Sequence, residues 1–130
     1  MRRKALVIED DAVSREALTA ALESEGCVVE VAADGEIGLG LLTCRRYDVV
    51  LLDLILPKIS GTDIMEQLLC TNPQVLSTII VVTGVNVDEI RKLFPDVCDA
   101  LGKPLIPTRL LRAIRQCLSA RANGLITGCA

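Results

Sequence analysis

The sequence has no histidine and no tryptophan, and its aromatic content is 2%, from Tyr47 and Phe94 alone. Six cysteines are present, but no two have the Cys-x-x-Cys spacing, and a zinc site would require distant thiols to meet by coincidence. We therefore interpret the cysteines as reduced thiols that serve mostly as small apolar residues in an aliphatic core.

The sequence also lacks long apolar runs and a surplus of basic residues. No apolar stretch approaches the ~20 residues needed to cross a bilayer. The basic start is followed by an apolar piece too short for a signal peptide, so we expect no membrane association and a cytoplasmic location. The net charge of -3 and the pI near 4.9 argue against nucleic-acid binding by this domain itself. The stripe Arg109, Arg112 and Arg115 is interpreted as a solvated helix face.

Apolar runs alternate along the chain with amphipathic stretches. A length of 130 residues, with 51% apolar and 24% charged residues, is typical of one globular domain. Strands are predicted over 5–8, 27–32, 49–52, 78–83 and 100–101, and helices over 14–25, 37–44, 63–69, 87–94 and 107–118. This alternation predicts an α/β fold, a doubly wound parallel sheet with helices on both faces. We assign residues 1–121 to the domain and 122–130 to a short C-terminal tail without a clear role.

Polar residues stand at the ends of four predicted strands. They are Glu9 and Asp10 after the first strand, Asp53 at the end of the third, Thr83 at the end of the fourth and Lys103 after the fifth. The functional crevice of such a sheet lies beyond the carboxyl ends of its strands, so these groups are predicted to share one rim. Asp11 and Asp34, in contrast, are expected to cap helices.

The predicted cluster of Glu9, Asp10 and Asp53 requires positive charge. Two carboxylates ~4 Å apart repel by about 4 kcal/mol at an effective dielectric constant of ~20. A bound cation or a retained proton would relieve that repulsion. Because the motif offers only hard oxygen ligands, Mg²⁺ or Mn²⁺ is favoured over zinc or copper. A magnesium ion held by two or three carboxylates keeps positions open for water and phosphate, which is the chemistry of phosphoryl transfer.

Four motifs occur in order along about residues 4–120. They are Val-Ile-Glu9-Asp10-Asp11, Leu-Leu-Asp53-Leu-Ile-Leu-Pro57-Lys-Ile-Ser-Gly61, Val-Val-Thr83-Gly84 and Gly-Lys103-Pro104. Together they make the chain resemble a response-regulator receiver domain, the phospho-accepting module of two-component signalling, similar to the chemotaxis response regulator. The resemblance implies a flavodoxin-like (βα)5 fold with five parallel strands in the order 2-1-3-4-5.

The resemblance also implies a phosphoacceptor and a metal site. Asp53 matches the nucleophile that takes a phosphoryl group from a phosphohistidine, carried by a sensor histidine kinase or a phosphotransfer protein. Asp10 matches a direct ligand of Mg²⁺ (or Mn²⁺), and Glu9 matches a residue that reaches the metal through water. The backbone carbonyl of Ile55 matches a further metal ligand.

Three further residues match groups that contact the phosphoryl group. Thr83 matches the hydroxyl that binds a phosphoryl oxygen, with the backbone N–H of Gly84 beside it. Lys103 matches the ammonium group that pairs with the acceptor carboxylate and then with the phosphoryl group, and it precedes what is usually a cis proline, Pro104. Such a domain catalyses its own phosphorylation and dephosphorylation but acts primarily in signalling.

The expected partners are the kinase or phosphotransfer protein and a downstream target or output domain. The sequence leaves dimerisation open, and the resemblance implies the face of the fourth helix, fifth strand and fifth helix as the contact surface of a homodimer. One position departs from the family, because Ala100 stands where receivers usually carry Tyr or Phe. We therefore expect the switch to depend on Thr83 and loop movement without an aromatic rotamer change.

Two other protein classes require residues that this sequence lacks. A metal-dependent aspartyl phosphatase generally needs a second Asp two residues after the nucleophile, where this chain has Ile55. A dinucleotide-binding domain needs a glycine-rich turn, and residues 6–15 contain none. The alternative that stays open is a non-phosphorylated receiver that acts as a docking module, which failure to bind Mg²⁺ would favour.

No output domain is expected after residue 120, and the chain is either a stand-alone regulator or the receiver of a larger regulator or hybrid kinase.

Overall fold

The computed structural model describes residues 2–127, with side chains as far as residue 120, and strands and helices alternate along it. The strands are β1 (Arg3–Ile8), β2 (Cys27–Ala32), β3 (Val49–Asp53), β4 (Ile79–Thr83) and β5 (Asp99–Gly102). The helices are α1 (Ala12–Ser24), α2 (Gly35–Cys44), α3 (Gly61–Thr71), α4 (Val87–Leu93) and α5 (Pro107–Thr127), with a 3₁₀ helix at Pro73–Thr78. Within the described residues, no helix combines the length and the apolarity needed to cross a membrane.

The five strands form one parallel sheet in the order β2-β1-β3-β4-β5, which confirms the predicted fold. Every residue of β3 and β4 is buried, as expected for strands covered on both faces. The strand order reverses between β1 and β3. Their carboxyl ends therefore border the crevice where ligands bind in sheets of this kind.

The core has two layers, one on each face of the sheet. Leu6 and Ile8 of β1 pack into the layer that α2, α3 and α4 cover. Ala5 and Val7, pointing the other way, pack into the layer under α1 and α5. This alternation along a single strand requires apolar residues at successive positions, and it explains the uninterrupted apolar sequence of the central strands.

Asp11 and Asp34 cap helices, as predicted. The Asp11 carboxylate accepts a hydrogen bond of 2.8 Å from the Ser14 N–H, so α1 begins two residues before the predicted start. The Asp34 carboxylate accepts one of 2.8 Å from the Ile37 N–H, and α2 begins at Gly35.

Two other helical segments differ from the prediction. Pro73 lies outside every predicted helix, but it opens the 3₁₀ helix, whose last residue is Thr78. Thr78 was predicted as the first residue of β4, and its hydroxyl instead donates to the Val75 carbonyl at 2.7 Å. Helix α5 continues beyond the predicted end at Leu118 to Thr127, so the proposed tail begins within a helix. Residues 128–130 of that tail lie outside the described residues.

Two glycines allow close approaches that position the site. A Cβ atom at Gly38 would lie 2.8 Å from Ile8 Cδ1, so glycine lets α2 pack directly on β1. A Cβ atom at Gly61 would lie 2.4 Å from the Asp53 carbonyl oxygen. The N–H of Gly61 also donates to the Leu54 carbonyl at 2.8 Å, which holds the start of α3 against the end of β3.

The cysteines only partly match their interpretation. Those that the structure describes are free thiols, and Cys27 and Cys117 are buried as apolar residues would be. Cys44 and Cys70 are exposed, so the apolar interpretation is wrong for these two.

The arginine stripe of α5 is solvated as predicted, and Arg115 forms an ion pair with Glu25 at 3.0 Å.

Candidate functional site

Three carboxylates gather at the carboxyl ends of β1 and β3. One oxygen each from Glu9, Asp10 and Asp53 lies within 4.8 Å of the others, and among the described residues this is the one group of three potential metal-ligating side chains. Glu9 is 1% exposed and Asp53 is 6% exposed, whereas Asp10 is exposed to solvent. Two of the three charges therefore lie in a region where water screens them poorly.

Lys103 supplies one positive charge to this cluster. Its Nζ atom lies 3.4 Å from Asp53 Oδ2 and 3.8 Å from Glu9 Oε2. Its backbone N–H donates to the Thr83 carbonyl at 2.7 Å, which fixes the residue directly beyond β5, and the following peptide bond to Pro104 is cis, as the resemblance implies. A single ammonium group against three carboxylates leaves the crevice negative.

Glu9 shows most directly that the cluster lacks positive charge. Its Oε1 atom accepts a hydrogen bond of 3.3 Å from the Asp11 N–H, but its buried Oε2 atom has no hydrogen-bond partner among the described residues. Burial, followed by the neighbouring Asp53 carboxylate, raises the pKa of Glu9 from 4.5 to about 7, with Lys103 opposing the shift. A divalent cation with a preference for oxygen ligands would satisfy this atom, so the residues present fit Mg²⁺.

The Asp53 carboxylate is held from two sides. Its Oδ1 atom accepts a hydrogen bond of 3.3 Å from the Ile55 N–H, and its Oδ2 atom faces Lys103. Ile55 thus contacts the cluster through its N–H. The role of its carbonyl oxygen as a metal ligand stays a prediction. The side chain of Ile55 is 69% exposed in the loop that follows β3.

Thr83 and Gly84 lie at the end of the neighbouring strand, where Asp53 pairs in register with Val82. The Thr83 hydroxyl is buried and accepts a hydrogen bond of 3.0 Å from the Val85 N–H, which leaves its own proton available for donation. A Cβ atom built on Gly84 would meet nothing within 4 Å, so the space beside this residue is open.

Sequence reasoning missed Arg15, one turn into α1. Its guanidinium group donates to the backbone carbonyls of Glu9 at 3.1 Å and Asp10 at 3.4 Å. It therefore holds the acidic turn by its backbone. The only signal in the sequence is a cation in the first turns of a helix that follows an acidic run.

Comparison with known proteins is consistent with this arrangement. Residues 5–115 match the family described as the response regulator receiver domain, and the chain belongs to that family. A curated relative, the probable transcriptional regulatory protein SilR of Salmonella typhimurium, is 32% identical over 95% of this chain and 54% of its own length. The chain thus spans about half the length of the curated relatives it matches.

Solved structures support the same assignment. A CheY-like receiver domain protein from Methanospirillum hungatei superposes with a TM-score of 0.82 and 26% identity, covering 95% of this chain and 98% of that one. The receiver domain of a sensor histidine kinase from Pseudomonas aeruginosa, solved with a magnesium ion coordinated in its active site cleft, has a TM-score of 0.78 and 26% identity. That match covers 92% of this chain and 99% of the other.

Proposed function

We propose that this chain is a phospho-accepting receiver in which Asp53 takes a phosphoryl group from a phosphohistidine. The observation that carries the proposal is the position of the Asp53 carboxylate, buried at the end of β3, clustered with Glu9 and Asp10 and 3.4 Å from Lys103. A carboxylate held in this way is kept in one orientation at the edge of the sheet where ligands bind.

The transfer needs a nucleophile, charge neutralisation and little else from the protein. An Asp53 oxygen forms the new bond to phosphorus while the P–N bond of the donor phosphohistidine breaks. Lys103, which faces Asp53 in the unphosphorylated protein, pairs with the transferred phosphoryl group. The Thr83 hydroxyl and the Gly84 N–H donate hydrogen bonds to its oxygens, and the open space beside Gly84 leaves room for it.

The acidic cluster would hold a divalent ion during this reaction. Asp10 and Asp53 would bind Mg²⁺ (or Mn²⁺) with the Ile55 carbonyl, and Glu9 would reach it through water. The ion would supply charge neutralisation for the carboxylates and the incoming phosphoryl group. The buried Glu9 Oε2 atom, which has no hydrogen-bond partner in the described part of the chain, supports the presence of a cation, and the oxygen-only donor set supports its identity.

The proposal extends to partners and to location. The phosphoryl donor is a sensor histidine kinase or a phosphotransfer protein, which places the chain in the cytoplasm, where such kinases draw on ATP. Phosphorylation changes the surface offered to an output domain or target, and the face formed by α4, β5 and α5 is the expected homodimer contact. The relative SilR is described as a transcriptional regulator, so a DNA-binding output is consistent with the proposal, although the net charge of this domain disfavours direct contact with DNA.

The test is to incubate the protein with acetyl phosphate and Mg²⁺ and to measure its intact mass. Wild type should gain one phosphoryl group, and Asp53→Asn should gain none. A matched control is Asp96→Asn, the same chemical change at an exposed residue in the loop before the amino end of β5, which should be phosphorylated like wild type.

Two outcomes would contradict the proposal: an adduct that survives Asp53→Asn, or a wild-type protein that never forms one. Calorimetric titration with Mg²⁺ and with beryllofluoride tests the remaining alternative, a docking module. A protein that binds neither Mg²⁺ nor beryllofluoride would be a docking module that works without phosphorylation.

A further inference from the structure

Two cysteines that are distant in sequence lie side by side at the end of the sheet opposite the acidic cluster. Cys98 directly precedes β5, and its N–H donates to the Ile79 carbonyl at 2.8 Å. Cys117 lies on α5, with its sulfur 3.8 Å from the Thr78 carbonyl oxygen. Both residues therefore pack against the start of β4, in the core layer under α1 and α5.

We propose that Cys98 and Cys117 form a redox-active pair that closes to an intramolecular disulfide when the protein meets a hydroperoxide. This modification site is separate from Asp53 and does not depend on the proposed phosphoryl acceptance. It rests on the contacts that both cysteines make with the start of β4 and on their common position in the core layer under α1 and α5.

Their surroundings assign different roles to the two thiols. Cys98 is partly exposed, whereas Cys117 is buried. The Cys117 side chain lowers the pKa of Cys98 below its ordinary value, against the opposite effect of burial. Cys27 offers a contrast, because burial, followed by the charge of Asp48, raises the pKa of its thiol. Cys98 is therefore the nucleophile that meets the oxidant, and Cys117 is the resolving thiol.

The reaction balances with a hydroperoxide as the only oxidant. The Cys98 thiolate attacks the terminal peroxide oxygen and becomes a sulfenic acid, and the O–O bond breaks to release an alcohol, or water when the oxidant is hydrogen peroxide. The Cys117 sulfur then attacks the Cys98 sulfur, the S–O bond breaks, and the hydroxyl group leaves as water with the proton of the Cys117 thiol. Overall, two thiols are oxidised to one disulfide and one peroxide is reduced.

The disulfide would join two elements that already pack against each other. Cys98 stands at the entrance to β5, and Cys117 lies on the buried face of α5. The covalent link would tie the amino end of β5 to the helix that covers it, and it would limit separation of α5 from the sheet. Because this link lies at the amino ends of the strands, the carboxyl-end crevice would keep its geometry.

The probe is hydrogen peroxide, applied to the reduced chain of residues 1–130 and then removed with catalase. Remaining thiols are alkylated in denaturant, and the protein is digested with trypsin without reductant. Trypsin does not cut between Lys103 and Pro104, so the expected product is peptide 93–109 joined to peptide 116–121, lighter than their sum by two hydrogen atoms. Dithiothreitol should restore both free peptides.

Cysteine variants and a denaturant control test whether the cross-link is specific to Cys98 and Cys117 in the folded protein. Cys98→Ser should abolish the cross-link, while the double variant Cys44→Ser/Cys70→Ser and the acceptor variant Asp53→Asn should retain it. Peroxide treatment in denaturant should scatter the cross-links over other cysteine pairs. The proposal is overturned if both peptides stay alkylated, if Cys98 is oxidised without joining Cys117, or if the same preference persists in the unfolded chain.

Discussion

Arg91 in α4 donates a hydrogen bond of 3.0 Å to the backbone carbonyl of Ala100 in β5. The same guanidinium nitrogen lies 3.0 Å from Asp99 Oδ1. Ala100 is 1% exposed and stands where related receivers usually carry an aromatic ring, and a cavity of about 450 Å³ lies beside it, lined also by Val87 and Arg109. In this chain a charged side chain therefore joins α4 to β5, and this contact must break before α4 can move away from the sheet.

Replacing Arg91 by alanine should loosen α4. The lost hydrogen bond to Ala100 is expected to lower the free energy of unfolding by about 1 kcal/mol, because its acceptor is partly buried. The exposed ion pair to Asp99 should add little. Hydrogen exchange followed by mass spectrometry should show faster exchange in α4. Lys92→Ala, at the neighbouring exposed position, is the control, and equal exchange in the two variants would contradict the role given to Arg91.

Asp10→Asn should weaken Mg²⁺ binding and leave the fold intact. The substitution removes one carboxylate from a cluster that holds only one ammonium group, so the metal-free protein should be as stable as wild type or slightly more stable. Calorimetric titration with Mg²⁺ and urea unfolding in the presence of a chelator measure the two effects, with Asp96→Asn as the control. If Asp10→Asn unfolds the protein while Mg²⁺ affinity is unchanged, Asp10 is structural.

Strands and strand ends were the most predictable parts of this molecule. The apolar runs that became β3 and β4 are buried on both faces, and such runs have few alternatives in an alternating α/β pattern. Once the order of strands is set, parallel pairing brings all carboxyl ends to one edge. Glu9, Asp53 and Lys103 could therefore be placed together before any coordinates were known.

Contacts between distant segments were the least predictable. Gly38 counts against a helix by local propensity, yet α2 runs through it because glycine permits close packing on Ile8. Arg15 and Arg91 look like ordinary charges on helix surfaces. Only the fold shows that Arg15 donates to backbone carbonyls directly after β1 and that Arg91 donates to one within β5. Such bonds leave no spacing pattern in the sequence.

Lys58→Gly should be more stable than Lys58→Ala. Lys58, in the loop between β3 and α3, has a φ angle of 70°, in the left-handed region that costs a residue with a Cβ atom about 1–2 kcal/mol. Both substitutions remove the ion pair of 3.6 Å with Asp34, so the difference between them isolates the backbone cost. We expect a difference of about 1 kcal/mol in urea unfolding. An alanine variant as stable as the glycine variant would show that the loop relaxes out of this conformation.

Glu9 should make the metal-free protein less stable as the pH rises. Its pKa is about 7 in the folded state and 4.5 in the reference state, so between these values the folded protein holds a proton that the unfolded chain has lost. Stability from this group is therefore present at low pH and is lost as the pH rises toward and through 7. The loss between pH 5 and pH 8 should be on the order of 2 kcal/mol, since each pKa unit corresponds to about 1.4 kcal/mol.

The measurement is urea unfolding of wild type and Glu9→Gln at both pH values in the presence of a chelator. The variant should lack this part of the pH dependence and should be the more stable protein at pH 8, because its amide carries no charge into the buried crevice. Saturating Mg²⁺ should reverse the order at pH 8, since the ion binds the ionised cluster of wild type more tightly than the variant. Parallel pH profiles for the two proteins would mean that Glu9 is ionised throughout this range and that Lys103 alone compensates its charge.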